Sequence, residues 1–345
     1  MIATRLVLAS ALLGFAPPAA AHQPALAPSE IVAAAPAGDW VWIAPRDLLV
    51  MDLAPDEKNR PRRVVIQLMP PPFPQGWVDN IRTLAAARWW DGLSVNRAQD
   101  NYVVQWGDPH AEDKARAKPL PAGLGVMAER DYEVTGSAAV DTVLHNYRAM
   151  RIAKNSRAIH AMIAIPDKQR DDLKNTPISD LDPYGPLSQF LDGWPVATDL
   201  EHAVWPVHCY GMVGVGRDMP PDAGSGAELY TVIGHAPRHL DRNIALVGRV
   251  IEGMAHLSSL PRGTGALGFY ERAEGRPAIR SVRIGTEVAG LPAYQFLSTD
   301  SVSFAAYADA RANRRDAFFI RPAGGADICN VPVPVRRAPL RAANP

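Results

Sequence analysis

Several residues in this 345-residue chain have types and spacings that invite chemistry. In DGLSVNRAQDNYVVQWGDP, residues 91–109, a lone cation (Arg97) precedes a run that reads as a buried strand, Tyr102-Val103-Val104-Gln105-Trp106. The run ends in the turn Gly107-Asp108-Pro109. An arginine and a glutamine therefore face what reads as a pocket edge; as a plainer alternative, Arg97 could neutralise Asp91, Asp100 or Asp108. His235 and His239 are four apart, with His202, His208 and Cys209 upstream. Pro237 breaks the helix that would bring both imidazoles to one metal, so no metal is expected. GTGALG at 263–268 has the glycines of a dinucleotide loop but lacks the feeding strand, following helix and later acid. It reads as a glycine-rich turn, and no cofactor is expected. Ser225 in DAGSGAE resembles a nucleophile elbow, yet Ala223 and Ala227 replace its glycines, which favours a loop over a hydrolase. Cys209 and Cys329 could pair in an oxidising compartment or remain two buried thiols, and neither has metal-ligand spacing.

The elements that must position these residues read mainly as strands. The 32 prolines argue for short strands and many connections rather than a helical bundle. WVWIAPRDLLVMDLAP and RRVVIQLMP predict two strands joined by the turn DEKNRP. QGWVDNIRTLAAARWW has helical spacing at Trp77, Ile81, Leu84 and Arg88, with Gly92 just past its end. A long irregular region is expected from His110 to Pro206. Its best helix candidate is AAVDTVLHNYRAMRIAKNSRAIHAMIA, whose Arg148, Arg151, Lys154 and Arg157 read as a solvated face rather than a docking stripe. Strands resume at HCYGMVGVGR, ELYTVIG, NIALVGRVIEGMAHLSSLP and IRSVRIGTEV, the third followed by a short helix. Short strands closing on themselves with helices over the ends predict an antiparallel β-barrel.

Lys+Arg and Asp+Glu are both 36, so no global field points to nucleic acid or an anionic membrane surface. MIATRLVLASALLGF, followed by APPAAA, reads as a secretory signal over residues 1–21 cleaved near His22, with an uncleaved interfacial anchor as the alternative. The apolar run is too short to span a bilayer. The expected location is outside the cytoplasm, in the periplasm, without stable membrane insertion after cleavage. Residues 22–38 read as a mobile Ala/Pro-rich leader.

Two blocks carry a resemblance. RVVIQLMPPPFPQGWVDNIRTLAAARWWDGLSVNRAQDNYVVQWGDP resembles the first half of a cyclophilin-type peptidyl-prolyl isomerase, through its strand, proline turn, helix, arginine strand and QxGDP-like ending. GMVGVGRDMPPDAGSGAELYTVIGHAPRHLDRNIALVGRVIEGMAHLSSL resembles the second half, including the EGM ending. The resemblance implies a cyclophilin-like barrel domain over 39–290 with an insertion at about 135–205; residues 291–345 lie outside it as a polar C-terminal extension. By position, it implies a catalytic Arg97 and a supporting Gln105. Tyr102, Val103, Tyr230 and Leu240 fall on the proline pocket, where the family prefers Phe, Met, Phe and Leu. Glu228, Leu229 and His239 join the substrate-binding set, with Glu228 replacing the usual Gln. Asn96 and Ile244 occupy positions where the family commonly has His, and His239 one where many members have Trp.

The implied chemistry needs no cofactor. An Xaa-Pro amide rotates over a barrier of ~18–20 kcal/mol. At the transition state the C–N bond is twisted and the proline nitrogen carries a free lone pair, which a guanidinium can stabilise. The expected partners are proline-containing polypeptides, met by a monomer. The alternative is a catalytically weak peptide-binding module on the same fold.

Overall fold

A computed structural model describes residues 25–136 and 184–339, with 138, 141–143, 145 and 182 between them. The signal-like segment 1–21 and most of the helix candidate at 138–164, including its basic residues, lie outside the described residues. In chain order the strands are β1 (Trp40–Ile43), β2 (Leu48–Leu53), β3 (Arg62–Leu68), β4 (Ser94–Ala98), β5 (Val103–Gly107), β6 (Val134–Thr135), β7 (Leu187–Leu191) and β8 (Trp194–Thr198). They continue as β9 (Ala203–Pro206), β10 (Met212–Val215), β11 (Leu229–Val232), β12 (Leu246–Glu252), β13 (Ile279–Ile284), β14 (Tyr294–Leu297) and β15 (Val335–Arg337). The helices used below are α1 (Pro28–Ala34), α2 (Gly76–Ala86), α3 (Ala255–Ser258) and α4 (Val302–Ala312).

Eight strands form one antiparallel sheet in the order β13-β2-β3-β12-β10-β11-β5-β4. Its two edges meet: Val95 N–H donates to Pro277 O at 2.9 Å and Ile279 N–H to Leu93 O at 2.8 Å. These bonds bring the ends together as a nearly closed antiparallel barrel. Alternation along each strand fills the interior with Leu49, Met51, Val64, Ile66, Val104, Trp106, Leu229 and Val247. Trp77, Ile81 and Leu84 of α2 and Leu257 of α3 add to that core. The helix stops before Gly92, with Arg88 in the left-handed region at φ 53° just beyond its end.

The outside of the barrel is treated unequally. Leu48, Val50 and Val65 point outward but are buried beneath a second sheet ordered β1-β14-β15. That double burial explains why β2 reads as a continuous apolar run. Over β4, β5 and β11 the outer face stays open, and the candidate site lies there.

Four sequence expectations are corrected. The segment read as one first strand is split by a short turn at Pro45–Asp47 into β1 and β2, which belong to different sheets. The leader is ordered where it is described: α1 lays Ile31, Val32 and Ala35 against Trp40, Leu297, Phe304 and Tyr307. The C-terminal extension, read as polar, supplies β14, α4 and β15 and buries Tyr294, Phe296, Leu297, Phe304 and Tyr307. The region read as irregular contains a four-stranded sheet ordered β6-β9-β8-β7, whose Trp194, Val196 and Trp205 pack with Phe73 and Met212. Arg249, buried on β12, ties the three sheets: it donates to Gln67 Oε1 and Gly193 O and lies over the rings of Trp194 and Phe296.

Candidate active site

Register aligns the site. Arg97 of β4 stands opposite Gln105 of β5, and Gln105 opposite Tyr230 of β11. These three residues share the outer face, while their neighbours Val104, Trp106 and Leu229 fill the interior. A β-bulge between Val95 and Arg97 re-aims the arginine. The extra residue, Asn96, is buried and accepts the Ser94 hydroxyl at 2.8 Å.

Arg97 carries no carboxylate partner among the described residues. The three aspartates that could have neutralised it are engaged elsewhere: Asp91 with Arg283 at 2.6 Å, Asp100 with Arg262 at 3.0 Å, and Asp108 with the backbone N–H groups of His110 and Lys118. Neutral acceptors hold the guanidinium instead. It donates to Leu267 O at 2.7 Å, to Gln105 Oε1 at 3.1 Å and to Gln99 Oε1. The Tyr102 and Phe269 rings each lie 5.5 Å from its central carbon. A guanidinium has five N–H donors, so one N–H on each terminal nitrogen is left for a ligand. Partial burial draws its pKa down from the usual arginine value, against the opposing pull of Tyr102 and Glu228.

Gln105 is fixed from both sides. It accepts from Arg97 and donates through Nε2 to Glu228 Oε1 at 2.7 Å, which settles the orientation of its amide. Burial raises the Glu228 carboxyl above its usual range, with the Gln105 bond and the Arg97 charge opposing. Glu228 lies under the groove floor: a Cβ on Gly216 would meet its Cγ at 2.9 Å.

Beside the arginine is a cavity of about 130 Å³ lined by Arg97, Tyr102, Val103, Gln105, Tyr230, Leu240 and Ile244, with Gly216 and Arg217 at its edge. His239 stays at the exposed rim, its ring parallel to Tyr102 at 6.5 Å. The structure thus brings together Arg97, Gln105, Tyr102, Val103, Tyr230 and Leu240. It does not bring in the Leu229 side chain, a correction to the sequence reading, because on a strand the neighbour of an outward residue points inward. Sequence reasoning missed Gln99, Leu267 and Phe269 as supports of Arg97. The glycine-rich turn at 263–268 supplies that support: Gly263 N–H donates to Ala98 O at 3.0 Å, placing Leu267 beside the arginine. A larger depression is lined by Glu129, Arg130, Glu133, Asp241, Arg242 and Asn243, with no aliphatic or aromatic residue to hold a proline ring.

The remaining candidates find other places. Ser225 sits in a loop, its hydroxyl accepting from Ala227 N–H at 3.3 Å. Among the described residues no three His, Cys, Asp or Glu side chains are grouped to hold a metal. Cys209 and Cys329 are disulfide-bonded, with Cα atoms 5.0 Å apart.

A nearly closed eight-stranded antiparallel barrel, with a cavity on its open outer face beside an arginine that has no carboxylate partner among the described residues, is the architecture of a cyclophilin-like protein. The model of the cyclophilin type peptidyl-prolyl cis-trans isomerase/CLD family matches residues 56–284, and the chain belongs to that family. Among solved structures it is similar to the cyclophilin AquaCyp293 from Hirschia baltica, with 19% identity, 86% of this chain and 92% of that one covered, and a TM-score of 0.54. It also matches a cyclophilin type peptidyl-prolyl cis-trans isomerase from Cryptosporidium parvum, with 9% identity, 69% and 97% coverage and a TM-score of 0.36. No curated protein matches the chain. Family and fold together support peptidyl-prolyl isomerase activity in general terms. No described helix is long and apolar enough to cross a membrane.

Proposed function

We propose that the protein isomerises Xaa-Pro bonds of exported polypeptides by electrostatic stabilisation of the twisted amide, without a covalent intermediate or cofactor. The observation that carries this reading is Arg97: an arginine with no carboxylate partner among the described residues, held by neutral acceptors beside a cavity whose apolar wall is Val103, Leu240 and Ile244. The substrate proline ring enters between Val103, Tyr230, Leu240 and Ile244. The free N–H groups of Arg97 then meet the proline carbonyl or the nitrogen lone pair as the amide twists. A charge held beforehand costs no reorganisation when the lone pair forms, so it favours the twisted state over either planar one. Gln105, clamped by Glu228, keeps the guanidinium from swinging away. A barrier lowered by about 5–8 kcal/mol gives roughly 10⁴- to 10⁶-fold acceleration.

Export is supported by the signal-like N-terminus and by the Cys209–Cys329 bond, which suits an oxidising compartment. The test is cis-to-trans conversion of a proline peptide by the mature protein and by Arg97→Ala. The expected result is a wild type well above background and a variant reduced by about 10²- to 10³-fold, as for loss of one preorganised donor. A wild type at background rate would leave only the peptide-binding module. Full activity in Arg97→Ala would remove Arg97 from the chemistry.

A further inference from the structure

The Tyr230 ring walls the cavity, but its hydroxyl enters a buried chain of polar groups. It lies 2.7 Å from His208 Nε2; His208 Nδ1 is 2.9 Å from Asp241 Oδ1; and Asp241 Oδ2 takes Arg238 Nε at 2.6 Å. Arg238 then reaches Asp182 Oδ2 at 2.6 Å. The side chains of His208, Asp241, Arg238 and Asp182 are 1%, 4%, 3% and 4% exposed. Proton positions follow from the partners. The Asp241 carboxylate can only accept, so Nδ1 of a neutral His208 carries the hydrogen. Its bare Nε2 then accepts the Tyr230 O–H. The same Asp241 oxygen also takes the His208 backbone N–H at 2.9 Å, which pins the imidazole from its own main chain.

Nothing in the barrel alone calls for this arrangement. The family resemblance expects Phe at position 230, and a phenylalanine would need no partner there. Burying a carboxylate, an imidazole and a guanidinium is costly even when they are paired. None of the three faces the cavity, so none meets substrate. What they fix is the ring. Gly214 leaves room for it on β10: a Cβ there would lie 2.3 Å from the Tyr230 oxygen. The tyrosine therefore crosses the neighbouring strand and is tied at its far end.

The chain of groups starts on barrel strand β11 and is tied at two points to segments added to the barrel. Asp182 belongs to the insertion. His208 precedes Cys209, whose disulfide partner Cys329 comes from the C-terminal extension.

Building on the isomerase reading above, we propose that His208 and Asp241 are positioning residues that hold Tyr230 as a rigid wall of the proline pocket, braced by the insertion and the extension. The tether keeps the ring out of the space a proline must occupy, so its loss weakens ground-state binding more than turnover.

The test uses the full oxidised protein and Xaa-Pro peptide kinetics on Tyr230→Phe, His208→Leu and the double variant. Tyr230→Phe keeps the ring and cuts only the tether. One lost hydrogen bond predicts a KM raised roughly three- to tenfold in either single variant, with most of the loss in KM rather than kcat. Because both variants cut the same link, the double variant is expected to be no worse than the worse single one. A wild-type KM in folded Tyr230→Phe, or losses that multiply in the double variant, would overturn the positioning role while leaving the Arg97 chemistry intact. A wild type at background rate would instead bring down the isomerase reading, and this inference with it.

Discussion

A guanidinium can stabilise a developing lone pair only while its charge is not already matched by a carboxylate, and the placement of acids around Arg97 follows that requirement. Asp91, Asp100 and Asp108 are each diverted to another partner. The nearest acid in the support is Glu228, one glutamine removed from the guanidinium. Its position explains why a carboxylate is tolerated where the family usually has Gln: it holds Gln105 without forming an ion pair with Arg97. The cost appears in its titration. Burial raises the folded-state pKa above the ordinary 4.5, so folding favours the protonated form. That contribution is fully present below the unfolded value and is lost as pH rises through the folded one. Relative to low pH, Glu228 therefore costs the fold stability at neutral pH. Glu228→Gln is expected to raise the urea midpoint at pH 7, with the difference shrinking as the pH is lowered towards 4; equal midpoints for the two proteins at pH 7 would refute it. At this scale the grouping of Arg97, Tyr102, Val103 and Gln105 was legible because one hairpin, β4 and β5, carries all four. Leu267, Phe269 and the His208–Asp241 pair were not, because distant turns bring them in. In the sequence His208 could be read only as a metal-ligand candidate.

Elements decide which faces are covered. β2 and β3 are buried on both sides because β1, β14 and β15 lie over them, whereas β4, β5 and β11 keep an open face and so can carry a groove. The barrel strands were readable from alternation and apolar runs. The sheet inside the insertion was passed over although it held a signal: LSQFL-DG-WPVAT is two strand-like runs around Asp-Gly. Asp192 and Gly193 take φ 48° and 83° there, the left-handed pair of a tight hairpin turn. What hid it was the long polar stretch before it. The disulfide ties the extension to this part of the molecule, linking Cys209 between β9 and β10 to Cys329 before β15 across a sequence separation of 120. A cross-link over so long a loop removes much freedom from the unfolded chain. Cys329→Ser is expected to cost about 3–5 kcal/mol in denaturant unfolding under oxidising conditions. Reductant should bring the wild type to the same midpoint, and a variant as stable as the oxidised wild type would refute the estimate.

At the scale of the whole molecule, the family match ends at residue 284, but the folded unit continues past it. β14 lies between β1 and β15, and Leu297 packs with Trp40, Phe304, Tyr307 and Val331, a cluster that also receives α1. The sequence suggested a boundary near 290 because the resemblance stops there and the tail is rich in Pro and Arg. Apolar residues at 294–307 are too few to announce that they cover the outside of a barrel. Removing 291–345 would strip β1 of its only strand partner among the described residues and uncover Trp40, Leu48, Val50 and Val65. Each fully exposed side chain of this kind forfeits about 1.5–3 kcal/mol of burial. The loss should exceed that of Cys329→Ser, which removes the same cross-link but leaves the covering sheet in place. Urea unfolding of chains 25–345, 25–345 with Cys329→Ser, and 25–290 separates the two contributions. The expected order of stability is wild type, then the cysteine variant, then the truncation, with the shortest chain prone to self-association through its exposed outer face. If 25–290 unfolds at the midpoint of the cysteine variant, the extension contributes only its disulfide, and the domain does end where the family match does.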